Sequence, residues 1–172
     1  IKAMTESKYI WMDGEFTPWN EAKVHVLSHT LHYGNGAIEG TKAYKTVDGR
    51  CAIFKLNEHT QRLLNSSKMT LMNVPFSLEE LNKAQVELLQ KNELTNGAYI
   101  RPLVYLGYGV MGLYHKDAPV KVSISAWEWG AYLGEEGLKK GVRVKISSFT
   151  RTPNTSGMGK AKSVANYMNS QM

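Results

Sequence analysis

The order of hydrophobic patterns along the chain constrains its fold more than any other feature of the sequence. Two helical patterns lie next to each other in the middle of the chain, and runs rich in β-branched and aromatic residues precede and follow them. A chain built of βαβ units would alternate strands and helices instead. The grouping therefore predicts an α+β domain rather than a βαβ repeat.

Both helices have recognisable boundaries. The first is predicted over residues 58–72, with Asn57 as its N-cap, and its buried face would carry Leu63, Leu64, Ser67 and Leu71. The second begins after Ser77, because Ser77-Leu78-Glu79-Glu80 is a capping box, in which the serine and the second glutamate bind backbone N–H groups at the helix start. It is expected to end before Gly97.

Two Asp-Gly pairs mark connections between predicted strands, and the first, Asp13-Gly14, is the pair favoured in the type I′ turn of a β-hairpin. They are Asp13-Gly14 and Asp48-Gly49, and the strands they join are predicted at 9–12 with 15–16 and at 37–46 with 51–55. Three later runs also have the composition of strands: 98–106, 120–129 and 142–149.

The length of 172 residues is enough for one domain and part of another. A glycine-containing run, Gly130-Ala131-Tyr132-Leu133-Gly134, begins a predicted linker. We therefore divide the chain into a small N-terminal domain (4–130), an interdomain linker (131–140) and the beginning of a larger domain (141–172).

The positive charge is concentrated at one end. The chain has a net charge of +6, and residues 137–172 contain seven basic side chains and no acidic one. Such asymmetry indicates an anionic partner, which could be a phosphate, a carboxylate or a nucleic acid, or else an acidic continuation of the chain that balances it. A noncatalytic nucleic-acid-binding module is thus one reading, although Phe149 and Tyr167 are the only aromatic residues there that could stack on bases.

Several classes of protein are excluded by simpler observations. No apolar run approaches the 18 residues of a membrane-spanning helix, and the first residues lack the apolar stretch of a signal peptide. Cys51 is the only cysteine, so no internal disulfide and no cysteine cluster can form. We expect a cytoplasmic protein without a membrane partner.

Two patterns that suggest ligand sites fail on their context. The run from Gly107 to Gly112 matches G-x-G-x-x-G, but another strand follows it instead of the helix that would hold a pyrophosphate. His25, His29 and His32 have spacings that could bind a metal, but no acidic residue lies among them. We predict a glycine loop, structural histidines and no metal.

Two cationic side chains are placed unusually. Arg101 interrupts an apolar strand, where its charge requires either a structural ion pair or a substrate carboxylate. Lys162 precedes an apolar stretch five residues before Tyr167. A lysine in a dry pocket loses its charge more easily and becomes a nucleophile toward aldehydes.

Several blocks follow one another along the chain: Tyr9 to Glu15, Ala22 to His29, Leu31 to Gly34, Glu39-Gly40, Glu58 to Leu63, Tyr99 to Leu103, Trp129 to Gly134, and Lys162 with Asn166-Tyr167. In this order they resemble the branched-chain amino acid aminotransferases, enzymes of fold type IV that use pyridoxal 5′-phosphate. The resemblance extends from about Tyr9 to the end of the chain. It implies the small α/β domain of that fold together with the first strands of its large domain.

The resemblance implies a role for each matching residue. Lys162 would bind the cofactor covalently and move the proton, Tyr167 would hydrogen-bond the pyridoxal phenolic oxygen, and Arg62 would bind the cofactor phosphate. The substrate-binding positions are Tyr99 and Arg101 on the carboxylate side, Trp129 and Tyr132 in the apolar pocket, and Tyr33 and Leu113, which reach the partner subunit's site in the family dimer.

Two positions depart from the family pattern. Ile38 stands where many members have an aromatic residue in the pocket, and Lys42 stands where some have arginine. We expect both to affect side-chain preference or the handling of the second substrate. The family also continues beyond the length of this chain, and its glutamate at the pyridine nitrogen and its phosphate-binding loops have no counterpart here.

The resemblance therefore implies transamination of leucine, isoleucine and valine with 2-oxoglutarate by a homodimer or higher homo-oligomer, and an inactive chain when these 172 residues stand alone. D-Amino acid aminotransferases and aminodeoxychorismate lyases share the fold and remain alternatives. The blocks at Tyr99 to Leu103 and Trp129 to Gly134 favour the branched-chain enzymes over them.

Overall fold

The structure, a computed structural model, describes residues 4–129, 134–150, 152–153 and 155–171. Its centre is a seven-stranded sheet in which every strand pairing is antiparallel. The strands are β1 (Tyr9–Met12), β2 (Glu15–Pro18), β3 (Gly36–Ile38), β4 (Thr41–Lys45), β5 (Cys51–Ile53), β6 (Gly97–Leu106) and β7 (Val120–Trp127). Their order is β2-β1-β7-β6-β4-β5, and β3 also pairs with β6.

Two long helices cover one face of the sheet. After the short helix α1 (His29–Tyr33) come α2 (Leu56–Met69), which packs on β3 and β6, and α3 (Leu78–Lys91), which packs on β1 and β7. The fully buried side chains between the layers include Leu63 on α2, Leu81 and Leu88 on α3, and Ile100 and Ile124 on the sheet. The predicted α+β class is confirmed.

The chain after the sheet has less regular structure. It contains helix α4 (Gly134–Lys140) and a 3₁₀ helix (Val164–Ser170); another 3₁₀ helix lies early in the chain (Trp19–Glu21). Helix α4 falls within the predicted linker, and residues 130–133 lie outside the described part of the chain. The division into domains stays a prediction.

Two of the local signals, the turn at Asp13-Gly14 and the capping box at Ser77, are confirmed. Asp13 and Gly14 both have positive φ, and they connect β1 to β2 with Met12 opposite Glu15. Asp48-Gly49 lies in the connection between β4 and β5. The capping box is complete, since the Glu80 N–H donates to Ser77 Oγ (3.2 Å) and the Ser77 N–H donates to Glu80 Oε2 (2.7 Å).

The start of the first long helix was predicted wrongly. Helix α2 begins at Leu56, and the preceding residue Lys55 has left-handed backbone angles (φ 54°). Asn57 lies inside the helix, where its side chain accepts a hydrogen bond from Asn82 of α3 instead of capping the helix. Leu71 is also exposed and lies beyond the helix end, so the buried face is shorter than expected.

The predicted strand at 142–149 is also wrong, because these residues have no regular structure. Val142, Val144 and Ile146 are exposed. A strand needs a neighbour to bind its N–H and C=O groups, and no strand of the described residues pairs with this segment. The predicted strand 37–46 is divided instead into β3 and β4, with Glu39-Gly40 between them.

The segment from Gly107 to Gly112 is a loop between β6 and β7, as predicted. Among the described residues, no helix is both long and apolar enough to cross a membrane.

Candidate cofactor and substrate site

The two faces of strand β6 have different surroundings: one faces the core and the other faces a cavity. Because successive side chains of a strand point to opposite sides, Ala98, Ile100 and Val104 are buried on one face of β6. Tyr99, Arg101 and Leu103 belong to the opposite face, and all three line a cavity. The same pleat that builds the core therefore presents a row of side chains to the cavity.

Strand register adds the neighbouring side chains. Ile38 of β3 lies opposite Leu103, and Lys42 of β4 lies opposite Tyr99. The cavity has a volume of about 770 Å³ and is lined by Ile38, Lys42, Tyr99, Arg101, Leu103, Trp129, Lys162, Val164, Tyr167 and Gln171. It thus brings together seven predicted site residues from both ends of the sequence.

The late segment that carries Lys162 is attached to the sheet through its backbone. The Lys162 N–H donates to Ser66 Oγ of α2 (3.0 Å), and the Ile38 N–H donates to the Lys162 carbonyl (3.0 Å). Ala37 and Ser163 form a β-bridge. Ser66 is fully buried, so the lysine backbone is held against the interior of the N-terminal region.

A short 3₁₀ helix returns the chain to Lys162. Ser163 caps it, with its Oγ accepting from the Ala165 N–H (3.3 Å). The helix carries Tyr167 back toward the lysine, and Lys162 Nζ donates a hydrogen bond to the Tyr167 hydroxyl. An amine and a phenol therefore lie side by side on one wall of the cavity.

Arg101 has no acidic partner among the residues that the structure describes. Its Nη2 donates to the Tyr99 hydroxyl (2.8 Å), its guanidinium lies 5.2 Å from the Tyr99 ring centroid, and its buried Nε has no hydrogen-bond partner. Of the two explanations for a cation in this strand, a structural ion pair therefore has no support in the described residues.

Tyr99 is held by close packing. A Cβ at residue 40 would collide with the Tyr99 hydroxyl, which explains why glycine is required between β3 and β4. Tyr99 also packs against two tryptophan rings, with centroid distances of 5.2 Å to Trp127 and 4.6 Å to Trp129. The three rings form an apolar wall beside the Arg101 cation.

Arg62 does not line this cavity. It donates two hydrogen bonds to Glu39, from Nε to Oε2 (2.6 Å) and from Nη2 to Oε1 (2.6 Å). Burial acts to raise the pKa of the Glu39 carboxyl, but the hydrogen bonds from Arg62 and Gly40 and the Arg62 and His59 charges outweigh it, so this pKa is below its usual value. The hydrogen bonds to Glu39 raise the pKa of Arg62.

Two further predicted residues lie elsewhere. Tyr33 and Leu113 are exposed and do not line the cavity. They are brought near each other by His29, whose ring stacks on Tyr33 (4.5 Å between centroids) and whose Nε2 donates to the Gly112 carbonyl (2.8 Å). Tyr132 lies outside the described residues.

Sequence analysis missed three residues that line the cavity: Leu103, Val164 and Gln171. The alternation of β6 could have identified Leu103, since it is two residues after Arg101. Nothing in the local sequence marks Val164 or Gln171. In the described residues, no three His, Cys, Asp or Glu side chains are arranged to hold a metal ion.

Comparison with known proteins supports the resemblance to aminotransferases found in the sequence. Residues 36–172 match the family model described as amino-transferase class IV. The branched-chain-amino-acid aminotransferase of Pseudomonas aeruginosa is 47% identical over 163 residues, which are 95% of this chain and 52% of that protein. The resemblance to branched-chain aminotransferases is confirmed.

Two solved structures of the T.th. branched-chain amino acid aminotransferase also match. The one with pyridoxamine 5′-phosphate has a TM-score of 0.89 at 46% identity, over 96% of this chain and 54% of the other. The complex with N-(5′-phosphopyridoxyl)-L-glutamate has a TM-score of 0.86 at 41% identity, over 96% and 53%. This chain spans about half the length of the relatives it matches. It belongs to the class IV aminotransferase family.

Proposed function

We propose that the protein containing this chain transaminates branched-chain L-amino acids. Leucine, isoleucine or valine would react with 2-oxoglutarate to give 2-oxo acids and glutamate, with pyridoxal 5′-phosphate as cofactor. One observation carries the proposal: the Lys162 amine contacts the Tyr167 hydroxyl in a cavity that also contains an aromatic wall and an arginine, Arg101, which has no acidic partner within the described part of the chain.

The chemistry of the side chains is suitable for this cofactor. A primary amine can bind its aldehyde, a phenol can hydrogen-bond its phenolic oxygen, and a guanidinium can bind its phosphate. Lys162, Tyr167 and Arg62 supply these groups. When bound, the cofactor provides a pyridine ring that stabilises negative charge at the substrate α-carbon.

The residues of the chain would then divide the work. Lys162 would hold the cofactor, and its free amine would remove and return the α-proton of the substrate. The Tyr167 hydroxyl, as the hydrogen-bond partner of Lys162 Nζ, orients that amine. Two hydrogen bonds of the Lys162 backbone, from its N–H to Ser66 Oγ and from the Ile38 N–H to its carbonyl, hold Lys162 in place during the exchange.

Both substrates must use one pocket. Tyr99 and Trp129 offer an apolar surface to a branched side chain, and Lys42, Arg101 and the Tyr99 hydroxyl offer positive charge and a donor to a carboxylate. Solved structures of the T.th. relative contain pyridoxamine 5′-phosphate and a phosphopyridoxyl-glutamate adduct. These ligands support the proposed cofactor and the proposed second substrate.

Borohydride reduction tests the lysine assignment. The full-length protein, incubated with pyridoxal 5′-phosphate and then reduced, should carry a phosphopyridoxyl group on Lys162 by peptide mass spectrometry. Lys160→Ala removes an exposed lysine two residues away and should leave the label unchanged, whereas Lys162→Ala should abolish it. A label that remains on another lysine in Lys162→Ala would refute the assignment.

The substrate class requires a separate assay. The full-length enzyme should convert L-leucine faster than D-alanine and should not release pyruvate from aminodeoxychorismate. Faster reaction with D-alanine would move the protein to the D-amino acid aminotransferases. The chain of 172 residues alone is expected to lack activity, since the resemblance places other cofactor contacts outside it.

We propose further that the protein is a homodimer or a higher homo-oligomer. Val26, Leu31, Leu113 and Tyr114 are exposed apolar side chains on α1, the segment before it and the loop after β6. The His29–Gly112 hydrogen bond joins the loop to α1. We expect a second copy of this chain to cover these apolar side chains, because the resemblance matches Tyr33 and Leu113 to residues that reach the partner subunit's site.

Sedimentation of the full-length protein tests the dimer. Leu31→Glu should shift it toward a monomer, because a carboxylate would be buried in the interface. Val47→Glu is the matched control, since Val47 is fully exposed in the connection between β4 and β5. A monomeric wild type would refute the proposal.

We propose a cytoplasmic location for the protein. Cys51 is a free thiol and the only cysteine of the chain. A free thiol is compatible with a reducing compartment, and we assign the protein to the cytoplasm.

A further inference from the structure

A buried carboxylate between β3 and β4 has no role in the chemistry described so far. Glu39 is 1% exposed. Its Oε1 accepts from the Gly40 N–H (2.8 Å) and from Arg62 Nη2 (2.6 Å), its Oε2 accepts from Arg62 Nε (2.6 Å), and His59 Nδ1 lies 3.3 Å from Oε1. A buried anion with this many donors is fixed in position.

The geometry of the pair leaves part of Arg62 available. A guanidinium has five N–H donors, and Glu39 takes one from Nε and one from Nη2, which lie on the same edge. The outer edge, formed by Nη1 and Nη2, keeps the fork that binds two oxygens of a phosphate. The Arg62 side chain is 54% exposed, so this fork can be reached from outside.

The position of Arg62 also relates it to the lysine. Arg62 and Ser66 are four residues apart on α2, hence on one helix face, and Ser66 Oγ accepts from the Lys162 N–H. Ile38, which precedes Glu39, donates its N–H to the Lys162 carbonyl. Arg62 is also close enough to Tyr167 to interact electrostatically. The same two elements thus hold both Lys162 and the Glu39–Arg62 pair.

We propose that Glu39 is a positioning residue, which holds the outer fork of Arg62 ready for the cofactor phosphate. The inference rests on the proposed function, because it takes Arg62 as the phosphate ligand. Glu39 orders the long Arg62 side chain when the protein folds. The entropic cost of ordering that side chain therefore does not reduce the affinity for the phosphate.

The negative charge of Glu39 and its hydrogen bonds to Arg62 have opposite expected effects on phosphate binding. A carboxylate near a phosphate repels it, so removing the charge should strengthen phosphate binding if charge were the main effect. Removing the hydrogen-bonded clamp should weaken it. Glu39→Gln removes the charge and half of the clamp, whereas Glu39→Asp keeps the charge but is one methylene too short to reach Arg62 from the same backbone position.

The test measures the affinity of the full-length apoprotein for two aldehydes, pyridoxal 5′-phosphate and pyridoxal, by absorbance titration. Both react with Lys162, but only the first has a phosphate, so the ratio of the two affinities isolates the phosphate contribution. Glu39→Gln and Glu39→Asp should each lower this ratio by roughly 10- to 100-fold, as the loss of a charged orienting partner does. Pyridoxal affinity should change little, which also shows that the variants fold.

Glu58→Gln is the matched control, because Glu58 is an exposed glutamate of α2 paired with Lys55, and it should leave the ratio unchanged. A ratio that is unchanged or raised in both Glu39 variants, while Arg62→Lys lowers it, would overturn the positioning role and leave the proposed function intact. If Arg62→Lys also leaves the ratio unchanged, Arg62 is not the phosphate ligand, and the inference falls with that assignment.

Discussion

The sheet with its two helices and the segment that follows it differ in how they are stabilised. Between Tyr9 and Trp127, strands and helices bury a continuous apolar core. Between Val142 and Phe149 the chain has a similar share of apolar residues but leaves them in solvent. Hydrophobic composition is therefore insufficient for structure, because apolar side chains are buried only where another element supplies a second surface.

The candidate site lies at the boundary of these two regions. The sheet supplies the walls of the cavity through β6 and its neighbours, and the later segment supplies Lys162 and Tyr167. The contacts that join them include two backbone hydrogen bonds of Lys162 and the Ala37–Ser163 bridge. Substitutions in each region measure how much each one contributes to the free energy of unfolding. Substitutions at the contacts between the regions measure how strongly the two are held together.

The largest effect is expected in the core. Ile100→Ala on β6 should lower the free energy of unfolding by roughly 2–5 kcal/mol, since it opens a cavity at a fully buried position. Urea unfolding followed by circular dichroism measures it. A loss below about 1 kcal/mol would mean that the core adapts to the substitution and that the region is less tightly packed than its burial indicates.

A smaller effect, with a characteristic pH dependence, is expected at Glu39. Because the folded state lowers the pKa of this carboxyl below its usual 4.5, the pair stabilises the fold above pH 4.5 and loses this contribution as the pH falls through the folded value. Glu39→Gln should cost about 2 kcal/mol at neutral pH, a figure reduced because Arg62 is partly exposed.

The difference between wild type and Glu39→Gln should therefore shrink as the pH falls from about 6 toward about 3, as measured by urea unfolding. Glu58→Gln, at an exposed glutamate on α2, the helix that carries Arg62, serves as the control. A constant difference across that range would show that Glu39 does not stabilise the fold through its charge.

The elements that could be predicted from sequence are those whose signals are local. The Asp13-Gly14 turn and the capping box at Ser77 each depend on a few consecutive residues, and both are present. The break at Glu39-Gly40 could not be predicted in this way. It depends on Tyr99 and Arg62, which are far away along the chain.

The same distinction applies to the candidate site. The resemblance selected Tyr99, Arg101 and Lys162, which the structure brings to one cavity. The Glu39–Arg62 pair joins residues 23 positions apart, one between two strands and the other on a helix, and no periodicity links them. Residues 142–149, which were wrongly predicted to form a strand, have the composition of one. The sequence contains no sign of whether a neighbouring strand is present to pair with them.

Ser66→Ala is expected to weaken the attachment of the later segment to the sheet and its helices. Losing the acceptor for the Lys162 N–H should cost about 1 kcal/mol and should speed hydrogen exchange at the Lys162 amide. Ser67→Ala is the matched control, because Ser67 is equally buried on α2 but donates to the Leu63 carbonyl within its own helix. Equal exchange at Lys162 in both variants would mean that Ser66 does not hold the two regions together.

The smallest effect is expected at Ile146, which is 94% exposed. In the chain of 172 residues, Ile146→Ala should change the free energy of unfolding by less than about 0.5 kcal/mol, since no apolar contact is lost. The same substitution in the full-length protein is the sharper experiment. A cost there comparable to that of Ile100→Ala would show that the additional chain supplies the missing surface, so that the contrast between the two regions reflects an absent neighbour rather than the sequence of the segment. A small cost in both would show that residues 142–149 stay in solvent, and the contrast would be a property of the segment itself.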